Sequence, residues 1–256
     1  MKRTISISTL FILIGIFILS VLIRLPNLNR PLSKHHEFVT AVSLRVLDIW
    51  DQEGAMKYHF NPVMNYPGEA NKHINNWAST TGKVVDEVGN YYYISHPPFA
   101  YILPHLVFKL IQVKPSVSSI QIFHLFLNSI SAIFIYLIVC LLGQQKPFLK
   151  TYWSGVVGFS IYLFSPGVLW FQSNTYMSDM LVHLFFILNV YVILKLLIRK
   201  RFFSPKYLVW YAIVLFLMIY TSWLGVFFAF SVFLYSFIKL RKTKVFIPLN
   251  LITLFV

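Results

Sequence analysis

Three short stretches of this chain set a proton-transfer group beside something that could bind an anion or a hydroxyl. His35-His36-Glu37 places a carboxylate next to two imidazoles. An ionised Glu37 could take a proton from an acceptor hydroxyl or help to hold a divalent cation. The plainer alternative makes Glu37 a good first-turn helix residue and leaves the histidines among lipid headgroups. Asp179, the one acid outside residues 24–98, follows Ser173-Asn174-Thr175-Tyr176-Met177-Ser178 at the start of an apolar run. Acids at membrane depth are costly and often functional, yet an Asp here would also serve as an N-cap. In Tyr91-Tyr92-Tyr93-Ile94-Ser95-His96-Pro97-Pro98-Phe99 the prolines present His96 at a helix N-terminus, a natural phosphate position. Read only as structure, they punctuate a helix start and the tyrosines form an interfacial belt.

The elements that must hold these residues follow from composition. Of 256 residues, 57% are hydrophobic and 12% charged, with mean hydropathy +0.68, against about 25% charged in an ordinary soluble domain. An all-α integral membrane protein is expected. Seven of the eight acids and seven bases lie in one polar island, residues 24–98, so the net charge of +14 sits elsewhere. The remaining bases cluster beside apolar segments, which is the pattern of membrane orientation and excludes nucleic-acid binding. The single cysteine, Cys140, allows no intrachain disulfide.

Residues 5–23, behind Met1-Lys2-Arg3, are long enough to cross a bilayer and read as an uncleaved anchor. Pro26 and Pro31 keep the chain out of helix until Ser33, an expected N-cap. Phe38, Val42, Val46, Ile49 and Trp50 then recur at helical spacing, opposite Asp48, Asp51 and Gln52, which predicts an amphipathic helix over 34–53 lying on the membrane surface. Residues 54–93 read as an ordered loop with a turn at Val88-Gly89-Asn90-Tyr91. Residues 99–112, with Pro104, His105 and Lys109, form a helix too short and too polar to cross. If that helix stays in the interface, the bases of 146–150, 195–206 and 239–244 join Lys2 and Arg3 in the cytoplasm, and the outer turns 172–178 and 221–225 hold none.

Spanning helices are then expected over 120–142, 152–171, 179–198, 207–222 and 224–238, and one more begins near Val245 but stops too soon to cross. The chain reads as the front part of a longer one. Its organisation would be a single transmembrane domain: a first helix at 5–23, an extracytoplasmic loop with juxtamembrane helices at 24–118, and about six further helices over 120–256, the last truncated. The N-terminus would be cytoplasmic and the polar island on the outer face of the cytoplasmic membrane. His124, His183 and Cys140 read as packing or helix-to-helix hydrogen bonding.

In this topological order the residues resemble the N-terminal module of GT-C glycosyltransferases. An acid opens a surface helix, a His-Pro-Pro-aromatic sequence opens a juxtamembrane helix, a basic inner turn follows, and an acid marks the next outer turn. The likeness is nearest to bacterial protein-O-mannosyltransferases (glycosyltransferase family 39) and aminoarabinose transferases, and it runs the length of the chain. It implies a GT-C-like multi-helix bundle that transfers a sugar from a polyprenyl-phosphate donor to a glycan, lipid or protein acceptor, with inversion if displacement at the anomeric carbon is direct. It also implies that Glu37 is the family's base or metal-associated carboxylate, with His36 standing where a second acid is common, and that Asp179 is the acid of the second outer loop. His96-Pro97-Pro98-Phe99 matches His-Pro-Pro-Leu, but Ala100 and Tyr101 follow where some members carry a base.

On that resemblance Glu37 and Asp179 are catalytic, and His96, Arg45, His36 and Tyr93 bind substrate. A divalent cation would be held by Glu37, His36 and Asp179. Two other functions stay open. One is a non-catalytic protein that binds or flips a lipid-linked sugar; the other is a transporter, marked by ionisable or broken helices at mid-bilayer.

Overall fold

The computed structural model describes residues 7–73, 83–143, 148–198 and 205–256, with the backbone alone at 83 and 148–150. Lys2, Arg3, Lys146 and the bases at 199–201, on which the expected orientation partly rests, lie outside the described residues, as do residues 74–82 of the island. In so apolar a chain, helices are the economical solution because each satisfies its own N–H and C=O groups. The helices are α1 (Ile7–Arg24), α2 (Phe38–Glu53), α3 (Phe99–Leu110), α4 (Val117–Leu142), α5 (Phe148–Phe164), α6 (Pro166–Asn174), α7 (Ser178–Ile198), α8 (Pro205–Ile219), α9 (Leu224–Lys239) and α10 (Phe246–Phe255). A small antiparallel hairpin, β1 (Lys83–Val85) with β2 (Tyr91–Tyr93), departs from the expected all-α pattern.

Among the described residues three spans are long and apolar enough to cross a membrane: Ile7–Asn27, Val117–Leu142 and Ser178–Ile198. The helix expected over 152–171 is instead broken. Pro166 has no N–H to give, and the chain bends by 60° between Thr151–Phe164 and Pro166–Asn174, which make a fourth span only if taken together. α8 and α9, expected as spans, have 15 and 16 residues. Each is only about 23 Å long, short of an apolar thickness of about 30 Å. α4 starts earlier than expected because Ser116 and Ser119 cap one another: Ser119 N–H donates to Ser116 Oγ (3.1 Å) and Ser116 N–H to Ser119 Oγ (2.8 Å).

α4 and α5 pack at close range, since a Cβ at Gly155 would lie 2.6 Å from Cys140 Sγ and one at Gly158 2.8 Å from a Val139 methyl. Outside, Ile18, Leu22, Phe126, Phe230 and Phe237 are exposed, a greasy surface suited to lipid. Inside, polar groups link helices. His124 Nε2 lies 2.8 Å from Gln172 Oε1, and Gln172 Nε2 lies 3.3 Å from His183 Nδ1, tying α4, α6 and α7 together. Arg24, only 2% exposed, sits in the α5–α6 bend. Its Nε donates to Ser173 Oγ (2.8 Å) and its Nη2 to the carbonyls of Leu163 and Val168 (3.2 and 3.3 Å), on either side of the break.

The island lies across one end of this bundle. α2 begins at Phe38, later than the expected start near Lys34, because His36 takes up φ 58 and interrupts the helical backbone. Its apolar face, expected against the membrane, is covered by protein: Tyr58, Val63, Met64 and Tyr101 pack on Val42, Val46, Ile49 and Trp50, and Phe38 stays exposed. Two acids knot the loop. Glu53 accepts from Lys57, from Tyr58 OH (2.5 Å) and from Gly68 N–H (2.9 Å). Asp86 accepts from Val88 and Asn90 N–H (3.1 and 2.8 Å) and from Tyr92 OH (2.9 Å), closing the hairpin around Gly89 at φ 88. α3 starts with Phe99 N–H on the Tyr220 carbonyl (3.3 Å), beyond α8, and ends with Phe108 against Phe123 of α4. Both of its ends therefore lie at the island's end of the bundle, and α3 does not run through it.

Candidate functional site

Glu37 is 1% exposed. The turn before α2 folds its side chain back on the preceding backbone. Lys34 N–H donates to Oε2 (2.8 Å), Arg30 Nη1 donates to the same oxygen (3.0 Å), and Arg30 Nη2 donates to Oε1. The Arg30 guanidinium also lies 5.7 Å from the Trp170 ring centroid, and Trp170 Nε1 donates to the His35 carbonyl (3.2 Å). Burial works to raise the Glu37 pKa, but the hydrogen bonds from Arg30 and Lys34 outweigh it and leave the carboxyl below its usual value. Such a group is ionised, multiply bonded and a weak base. His35 and His36, with ring centroids 4.0 Å apart, are exposed beside it and flank Phe171.

Asp179 differs in every respect. It lies in the first turn of α7, partly exposed, and its Oδ1 accepts from a single hydroxyl, Ser222 Oγ, at 3.4 Å. No salt bridge reaches it among the described residues. It lines a cleft of about 510 Å³ between α7, α8 and α9, whose other walls include Val182, Phe186, Met218, Phe227 and Phe228. Gly225 lets the α8–α9 turn close tightly beside Ser222, since a Cβ there would lie 2.5 Å from the Ile219 nitrogen.

The remaining expected residues divide. His96 precedes α3, its Nδ1 buried without a hydrogen-bond partner and its ring centroid 6.2 Å from that of Tyr93. Tyr93 is fixed in β2, its N–H on the Pro62 carbonyl (2.9 Å). Arg45 turns to the loop: Nη1 donates to the Met64 carbonyl (3.2 Å), Nη2 to Tyr66 OH (3.1 Å), and the guanidinium stacks 4.3 Å from the Tyr66 ring centroid.

Two seams bring these segments to the same end of the bundle. In the first, Thr40 Oγ1, one turn after Glu37, donates to the Asn174 carbonyl and accepts from Tyr176 N–H, both at 2.8 Å, three residues before Asp179. In the second, Trp223 Nε1 donates to the Ser95 carbonyl (2.7 Å), next to His96, while neighbouring Ser222 meets Asp179. Asp179 thus stands between the segment that carries Glu37 and the segment that carries His96. The expected cation ligands Glu37, His36 and Asp179 are not gathered: among the described residues no three His, Cys, Asp or Glu side chains form a group able to hold a metal. The Glu37 oxygens are turned to Arg30 and Lys34 instead. Arg30, Trp170 and Ser222 were not singled out from the sequence. Arg30 lies across a proline-bounded turn from Glu37, and Trp170 and Ser222 come from other helices, so no local spacing marks them. The chain matches no known protein family and no curated protein.

Proposed function

We propose that the chain is a membrane glycosyltransferase that moves a sugar from a polyprenyl-phosphate donor to an acceptor at the extracytoplasmic face. Asp179 carries this reading. It is a carboxylate with one weak partner at the polar end of an apolar cleft, where a general base and the head of an amphiphile can meet. As the acceptor oxygen attacks the anomeric carbon, Asp179 takes its proton. The bond from that carbon to the phosphate oxygen breaks on the opposite side, its electron pair leaves with polyprenyl phosphate, and configuration inverts.

Glu37, the base expected from the resemblance, takes a supporting part: it neutralises Arg30 and fixes the turn bearing His35 and His36, whose exposed imidazoles offer hydrogen bonds for a phosphate. His96, with its unpartnered Nδ1, and Tyr93 supply contacts at the rim, and Arg45 stiffens the loop. Lys195, Lys206, Lys239, Arg241, Lys242 and Lys244 belong to the bundle end away from the island. The positive-inside rule then favours a cytoplasmic position for that end and an outer position for the island in the cytoplasmic membrane.

The test is release of polyprenyl phosphate by the purified chain in lipid nanodiscs supplied with polyprenyl-phosphate sugars. Asp179→Asn should lower release by about 100-fold or more, and undiminished release from the folded variant would refute the role of Asp179. A second reading, a protein that binds or flips a lipid-linked sugar without turnover, is favoured by the saturation of Glu37. It predicts donor binding and no release from the unmodified chain.

A further inference from the structure

We infer that the Asp179 cleft is the acceptor's seat, and that the acceptor is an amphiphile with one apolar chain and a hydrogen-bond-donating head, a hydroxyl or an amine. The transfer half of this inference rests on the function proposed above; the binding half does not.

The cleft's volume of about 510 Å³ lies within the roughly 300–1,000 Å³ of small-molecule sites. Its chemistry is graded along its length. Asp179 marks the polar end, where Ser222 also lies. Phe186 on α7 and Ser231 on α9 mark the far end. Each is seven residues further along its helix than Asp179 and Leu224 respectively, about 10 Å of helix. Between the ends the walls are Val182, His183, Met218, Phe227 and Phe228, and at the far end the Ser231 hydroxyl is taken up by the Phe227 carbonyl (2.8 Å). A ligand that fills this space must be polar at one end and apolar for about 10 Å.

Charge decides the polar end. The Asp179 carboxylate has no ion-pair partner among the described residues. The one other titratable side chain on the cleft wall, His183, is already tied by its Nδ1 to Gln172 Nε2 (3.3 Å). A phosphate there would meet a like charge with no cation to compensate it, whereas a hydroxyl or ammonium would donate to the free carboxylate oxygen. The donor's phosphate is therefore better placed beside the exposed His35 and His36 imidazoles, where Arg30 neutralises Glu37, on the other side of the Thr40–Tyr176 seam. In the transfer step the acceptor O–H proton passes to Asp179, the acceptor oxygen bonds to the anomeric carbon, and phosphate leaves with the electron pair of the broken bond. An amine reacts likewise once an ammonium proton has gone to solvent.

The experiment is competition binding to the full chain in nanodiscs, with three C16 probes that share a tail and differ in head: alcohol, amine and phosphate monoester. Two variants separate head from tail. Ser231→Trp fills the far end from an exposed position and should abolish binding of all three probes. Asp179→Asn keeps the shape and should lower amine affinity about tenfold while raising that of the phosphate. The expected result is amine and alcohol bound above phosphate, with Ser231→Trp blind to all. Phosphate bound best, or Ser231→Trp binding as the parent does, overturns the inference. Adding the polyprenyl-phosphate sugar separates the two proposals. Glycosylation of the C16 alcohol that Ser231→Trp loses supports both. Transfer that persists in Ser231→Trp overturns the acceptor's seat and leaves the glycosyltransferase standing, whereas selective binding without any transfer supports the seat and removes the glycosyltransferase.

Discussion

Glu37 and Asp179 are two acids at the same end of one bundle, and they have been given opposite surroundings. Glu37 is enclosed by Arg30, the Lys34 N–H and, through Arg30, the Trp170 ring, so its charged form is favoured and its oxygens are occupied. Asp179 has one long contact to Ser222 and open space in front of it. The first arrangement holds a fold together; the second leaves a carboxylate oxygen open to a ligand. What an acid can do is set by the donors that reach it, and neighbours in sequence supply few of these donors.

Each acid can be changed on its own. The largest effect is expected on stability at the closed one. Glu37→Ala strands Arg30 and the Lys34 N–H, and should cost about 4 kcal/mol, seen as a lowered thermal midpoint in detergent. The pair Arg30→Met with Glu37→Leu should cost much less than the two single changes together, because no buried charge is left alone. At the open acid, Asp179→Asn should change stability by no more than about 0.5 kcal/mol and, on the proposed function, cut polyprenyl phosphate release about 100-fold. A large fall in stability for Asp179→Asn, or none for Glu37→Ala, would erase the distinction between them.

Arg24→Lys keeps the charge but cannot reach Ser173 and both carbonyls of the α5–α6 bend, and should cost about 2 kcal/mol by thermal unfolding. The folded-state pKa of Glu37 lies below its unfolded value of 4.5, so its contribution is complete above pH 4.5 and is lost as pH falls through the lower, folded value. Acid unfolding curves of the parent and of Glu37→Gln should therefore converge below pH 4.5 and differ above it; a constant gap would show that the Arg30 pair does not lower that pKa. Ser222→Ala is expected to change release by only about twofold, because its 3.4 Å bond to Asp179 is weak.

Much of the architecture was legible. The apolar runs at 120–142 and 179–198 became α4 and α7, and residues 99–112 became a helix that stays at one end, as their length and polarity required. The span expected over 152–171 was misread, although the proline that breaks it, Pro166, is local; the clamp on the bend, a buried arginine from α1, is not local at all. The covering of α2 was hidden for a different reason. Val42, Val46, Ile49 and Trp50 announce an apolar face but do not say what meets it, and the partner proved to be the loop itself through Tyr58, Val63 and Met64. Of the candidate site, the acids and His96 could be picked out by type. Their roles could not, since Arg30 and Ser222 act across turns and between helices.

By itself the sequence determined a mostly helical, greasy chain with its acids gathered in one island, because apolar periodicity and charge segregation are properties of neighbours along the backbone. The tertiary structure alone decided that Glu37 is closed and Asp179 open. A carboxylate's proton affinity is governed by groups within a few ångströms in space, and those groups come from residues that only folding brings near.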